Sequence, residues 1–261
     1  MRRKLLSGLL AASLAVPLAV GGAARPALAV EPSIWINVAV AVAGKLFGGG
    51  GGGGGADLER AKQEILAAIN ASQQEILGHI DAIAAADVRA CLRSGTLLMP
   101  NIDLMDEYTL PVFMENSINC ATRSSAYFDA VQDLAAADNI ARLMGEIYSI
   151  AMVSFEKLGF DGTYLLDDLI GSYEAVVNKV KPSCTDNWQT WPDNEWGFYS
   201  EHRYTCRTFN GDSTSWMEYW YGSNVENPID HAYVESNTMR NTVLPYVQQT
   251  LPQLKQIRAA A

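Results

Sequence analysis

The sequence predicts a mainly α protein: a helical bundle with a small antiparallel β-meander at about 183–224 and a C-terminal helical segment. Apolar residues recur at helical spacing through 57–181 and again through 228–258. Between them, residues 183–224 switch to alternation, with five Trp, four Tyr and two Phe, and contain Asn210-Gly211, a strong hairpin signal. Four cysteines add two expected crosslinks.

The chain opens on Arg2, Arg3 and Lys4, then an apolar run over 5–20, then Ala27-Leu28-Ala29, with small residues at −3 and −1 of a cleavage site. Residues 1–29 are therefore read as a signal peptide cut before Val30, and the protein is expected to be secreted and extracellular. The arginine pair resembles a twin-arginine signal, but the Ser or Thr expected before it is absent, which favours the ordinary secretory route.

The full chain of 261 residues has 19 Lys and Arg against 29 Asp and Glu, a net charge of −10. Cleavage would remove Arg2, Arg3, Lys4 and Arg25, leaving 15 basic residues and a net charge near −14. Such a chain is repelled by nucleic-acid phosphates and anionic lipid headgroups, so no nucleic-acid partner is expected. The mature length suits one domain, or one domain with an appended module.

Residues 30–56 form an apolar arm and a glycine tether. The arm, 34–47, is apolar apart from Asn37 and Lys45, and eight glycines follow at 48–55. It is too short to cross a bilayer as a straight helix. The glycines would act as a flexible tether of roughly 16 Å. Ile34, Trp35, Ile36, Val38, Val40, Val42, Leu46 and Phe47 are the candidate contacts with a partner protein or a membrane; packing of the arm on its own domain is the competing expectation.

From Asp57, Leu58, Ile65, Ile69, Ile76, Ile80 and Ile83 keep to one helical face, predicting a helix to about Arg93, roughly 55 Å long. Within it 63–71 is echoed eleven residues later by 74–82. Pro100 and Asn101 turn the chain. Asp103 is the expected cap of a helix reaching 137 and kinked by Pro111. Another helix is expected from Asp138 to a cap at Gly159, and a further one over 164–181 stopped by Pro182.

In the meander, a two-residue turn at Asn210-Gly211 would set Cys206, Tyr204, His202 and Ser200 facing Ser215, Met217, Tyr219 and Tyr221, with Arg203 meeting Glu218 on the other face. A second turn is expected at 191–195. Trp188, Trp191, Trp216 and Trp220 are candidate polysaccharide contacts, because indole faces stack on sugar rings; the same side chains also suit a small core. The last segment, 228–258, is expected to pack on the bundle as a helix.

Cysteine spacing favours Cys91–Cys120 and Cys184–Cys206, each closing a local loop worth about 3 kcal/mol by chain entropy. No zinc-type spacing is present, and His79, His202 and His231 show no metal-ligand spacing. HExxH and GxSxG motifs are also absent, so neither a cofactor nor a metal is expected and no catalytic residue is assigned.

Gly211-Asp212-Ser213-Thr214-Ser215 resembles the block that names the GDSL hydrolases. In that family the block lies near the mature N-terminus between a strand and a helix; here it falls on a hairpin turn, where Gly-Asp-Ser is ordinary turn chemistry. Asp167-Asp168 and Asp186 could supply half an acid/base pair. In outline only, helices with an apolar arm are similar to the α-helical pore-forming toxins, and no motif is carried over. The leading expectation is a non-enzymatic protein that engages a partner protein or a membrane through the arm. Polysaccharide binding by the meander is the alternative, and a secreted hydrolase the third reading.

Overall fold

The computed structural model describes residues 33–48, 55–195 and 197–261; the expected signal segment, most of the glycine run and Trp196 lie outside them. Among the described residues the chain is mainly α with one small antiparallel sheet, as the sequence predicts.

The bundle is organised around α5 (Leu134–Lys157), which is buried on nearly every side between Ala137 and Ser154. Asp133 caps its start, accepting a hydrogen bond from the Ala135 amide at 2.9 Å. Its end is the expected glycine cap. Gly159 has φ +77°, its amide donates to the Glu156 carbonyl, and the Phe160 amide reaches back to that of Phe155. The Phe155 and Phe160 rings, 5.0 Å apart, add the apolar contact that accompanies such a cap.

Helix α1 (Ser33–Phe47) follows the second of the two expectations for this stretch, packing on its own domain. It packs against α5, α2 (Gly55–Asp81) and α8 (Leu244–Ala260) as part of the bundle, not as an arm. Ile36, Val38, Val42, Leu46 and Phe47 are 7% exposed or less, while Ile34 and Val40 are partly buried against the same core. The side chain of Trp35 lies outside the described residues. A helix apolar on almost every side has no solvent face to offer, so it is buried. Its cation, Lys45, pairs with Glu64 of α2.

Three expected helices are divided differently. The long helix after Asp57 bends at Ser72, where φ/ψ leave the helical region and the hydroxyl donates to the Ala68 carbonyl at 2.7 Å. That bend separates the two echoing segments. The helix then stops, and α3 (Ala86–Leu98) starts after an extended Ala85, with Ile83 still buried at the corner. Pro111 kinks nothing, because α4 (Thr109–Ala130) begins only two residues earlier and its first turn needs no proline N–H. Asp106, not Asp103, receives the amides of Tyr108 and Thr109; Asp103 instead bridges Lys62 and Lys157. The C-terminal segment is two helices, α7 (His231–Met239) and α8, separated just before Pro245. Helix α6 (Thr163–Lys179) ends before Pro182 as expected.

Both disulfides pair as predicted. Cys91–Cys120 ties α3 to α4, and Cys184–Cys206 joins the first two strands. Two disulfides fit an oxidising compartment. No helix among the described residues is long and apolar enough to cross a membrane.

Candidate functional site

The meander is a four-stranded antiparallel sheet in sequential order: β1 (Ser183–Asp193), β2 (Gly197–Arg207), β3 (Ser213–Tyr221) and β4 (Asn224–Glu226). Its hairpin register differs by one residue from the expected one. The Asn210-Gly211 turn is bulged: the Gly211 amide donates to the Thr208 carbonyl, Gly211 takes φ +88°, and the Thr208 amide reaches Asp212. One extra residue in the loop exchanges the faces of β3 relative to β2. His202 therefore lies opposite Glu218, Tyr204 opposite Trp216 and Arg203 opposite Met217. The second turn comes later than expected, with Asp193 paired to Gly197, and this brings Cys184 directly opposite Cys206.

One face packs on α7. Tyr204, Cys206 and Val234 form a small core, Trp216 meets Tyr233 edge-on, and the Tyr204 hydroxyl donates to Glu235. His202 is buried here between two carboxylates, with Nε2 at 2.7 Å from Asp186 and Nδ1 at 2.8 Å from Glu218. Trp188 stacks on its ring at 4.0 Å and 3°. Burial alone would lower the His202 pKa, but the hydrogen bonds to Glu218 and Asp186 outweigh it and raise the value. Glu218 is desolvated too, yet His202, the Ile229 amide and the Trp220 indole hold it below the ordinary range. With both ring nitrogens engaged, His202 is a strut joining three strands.

Among the described residues the opposite face carries no helix. Ser183, Thr185, Asn187 and Gln189 of β1 with Glu201, Arg203, Thr205 and Arg207 of β2 line an open slot of about 410 Å³. Beyond its distal end Trp191 lies opposite Tyr199 in the register, and Tyr199 stacks on Tyr221 of β3 at 5.6 Å and 23°. The three rings make a row across three strands. Trp191 is 45% exposed, and Arg203 and Arg207 are exposed.

Of the four candidate tryptophans, only Trp191 is on this open face. Trp188 is exposed but lies on the His202 side, next to Trp220 at 6.0 Å; Trp216 and Trp220 are partly buried and spend their indole N–H groups on Asn227 and Glu218. Sequence reasoning missed Tyr199 and Tyr221 as partners of Trp191. Strand alternation put them within reach, but the bulge was not readable.

The acid/base candidates are dispersed. Asp167 is held by Arg258, Asp168 accepts from the Tyr148 hydroxyl and Asp186 belongs to His202. Ser213 of the Gly-Asp-Ser block donates to the Cys206 carbonyl. The deepest acid is Glu146 on α5, 1% exposed and bonded only to Thr96; burial raises its pKa to about 8. No group of three or more potential metal ligands is gathered among the described residues. A second concavity, about 530 Å³, runs between α3 and α4 over the Cys91–Cys120 bridge.

Comparison with known families, characterised proteins and solved structures returned no match.

Proposed function

We propose that this is a secreted, non-enzymatic binding protein whose open sheet face engages extracellular polysaccharide. The observation that carries the reading is the row Trp191–Tyr199–Tyr221, set at the end of a polar slot on the only helix-free face of the sheet among the described residues. Aromatic faces held on a rigid sheet stack on the C–H faces of sugar rings, and the amides of Asn187 and Gln189 with Glu201 and Arg203 provide donors and acceptors for hydroxyls. A shallow slot open at its rim suits a chain passing over it better than a small enclosed ligand.

The alternative, contact with a membrane or partner through 34–47, requires α1 to leave the bundle and expose both itself and the core it covers. Its burial weighs against that reading.

The test is titration of the mature protein with soluble polysaccharides, followed by tryptophan fluorescence and calorimetry. Trp191→Ala and Tyr199→Ala are each expected to weaken binding by about 5- to 150-fold, taking a sugar ring to stack as a nucleobase does, at about 1–3 kcal/mol. Trp188→Ala, on the other face, should leave it unchanged. Indifference of the wild-type protein to every polysaccharide, or full binding by Trp191→Ala, would remove the proposal.

A further inference from the structure

Strand β1 is an edge strand of 11 residues, almost all exposed, and among the described residues β2 is the one element that packs extensively along it. Parity tells which of its backbone groups are free. Cys184 and Cys206 are directly opposed with Cα atoms 4.0 Å apart, the short spacing of a non-hydrogen-bonded pair. The Thr205 carbonyl, which receives the Thr185 hydroxyl, points toward β1, as the same parity requires. The odd-numbered residues of β1 therefore bond to β2, while the N–H and C=O groups of Cys184, Asp186, Trp188 and Thr190 point outward. Pro192 falls on the outward set, where its missing N–H costs the ladder nothing.

Native edges are normally blunted by charges, proline, bulges, short length or a covering element. Of these β1 carries only Pro192, next to its last residue, and two acids, Asp186 (held by His202) and Asp193; the rest of the strand is long, regular and uncovered among the described residues. We infer that β1 pairs with β1 of a second copy of this chain, antiparallel about a two-fold axis at Trp188, so that two meanders form one continuous sheet.

The sequence of the strand is self-complementary in that register. Asp186 meets the partner's Thr190, so no like charges are opposed, and the two Trp188 residues sit side by side on the axis, an aromatic cross-strand pair. Roughly eight backbone hydrogen bonds become available. Charge complementarity selects a second copy over an unrelated strand. Lys181, just before β1, has no acidic partner among the described residues, and neither has Glu195 in the turn after it a basic one. Carried two residues past each end of the strand, the same register would set each Lys181 close to the other copy's Glu195. Both faces stay continuous across the junction, so the aromatic row of each copy lies on the same side of the joined sheet. The inference does not depend on what that face binds.

Sedimentation of the mature protein over a wide concentration range tests it. A reversible dimer is expected. Thr190→Pro removes one outward N–H per copy without touching the β1–β2 ladder, and should weaken the dimer about tenfold. Lys181→Glu and Glu195→Lys should each weaken it, and the double reversal should restore it. A monomer at every concentration overturns the inference, as does a dimer indifferent to the charge reversals. If Thr190→Pro fails to fold, the charge-reversal set decides alone.

Discussion

Helix α1 provides the sharpest check on the fold, because a removable arm and a core helix respond oppositely to truncation. Ile36, Val38, Val42, Leu46 and Phe47 are all nearly inaccessible. At about 1.5–3 kcal/mol per fully buried apolar side chain, they contribute roughly 8–15 kcal/mol, an upper figure because the unfolded chain is itself partly collapsed. That equals the whole net stability of an ordinary domain, about 5–15 kcal/mol. A chain starting at residue 57 should therefore lose cooperative unfolding, bind apolar dyes and aggregate. The milder Leu46→Ala should fold but lose about 2–5 kcal/mol. Urea unfolding followed by circular dichroism reads both. If the truncated chain unfolds cooperatively at the same midpoint as the mature protein, α1 is not part of the core and the packing argument fails.

Three further outcomes follow from named groups. His202 has a raised pKa, so its contribution is complete below about 6.5, its unfolded value, and is lost as pH rises through the folded value; Glu218, lowered, contributes above about 4.5 and fades as pH falls through its folded value. The sheet should thus be most protected from hydrogen exchange in mildly acidic solution, and His202→Gln should cost about 1.5–3 kcal/mol there and flatten the alkaline limb. Glu146, raised to about 8 by burial, makes the bundle lose stability between about pH 4.5 and 8; Glu146→Gln should remove that slope and raise the melting temperature at neutral pH. Peptide mapping should recover Cys91–Cys120 and Cys184–Cys206 only, and reduction should release 183–224 to hydrogen exchange before the helices.

What the sequence disclosed depended on how local each signal was. Gly159 could be assigned because a left-handed cap needs only its own turn, and the helix before it carried its apolar period openly. Both disulfides were readable because each closes a short loop within one module. The break after Asp81 was not, since no Gly or Pro marks 82–85 and the apolar face continues through Ile83. The apolar character of 34–47 was plain, but a surface for a partner and a surface for the chain's own core have the same composition; only tertiary packing separates them. The sheet failed for a subtler reason. Asn-Gly announced a hairpin correctly, yet a bulged loop and a two-residue loop share that dipeptide, and the difference of one residue moved Glu218 from Arg203 to His202.

That displaced register also explains how a sheet so small holds a fixed face. A hairpin of this size gains little from its own core, here only Tyr204, Cys206 and Val234 with partly buried neighbours. Stiffness comes from crosslinks placed along its length. The disulfide clamps β1 to β2 near the bundle, and the Asp186–His202–Glu218 relay spans three strands at mid-sheet. At the hairpin tip, Asp212 accepts from Asn241, whose carbonyl accepts from Arg142, and Arg142 pairs with Asp138, which also receives the Val243 amide. This chain runs from the tip through the α7–α8 junction into α5, while Phe209 of the same tip packs on the bundle core. The sheet is therefore anchored at one end and braced at its middle. Its far end, where Trp191 is exposed beside the half-buried Tyr199 and Tyr221, is held in place with no helix over it among the described residues, and that is the rigidity the proposed stacking of a sugar ring on this row requires.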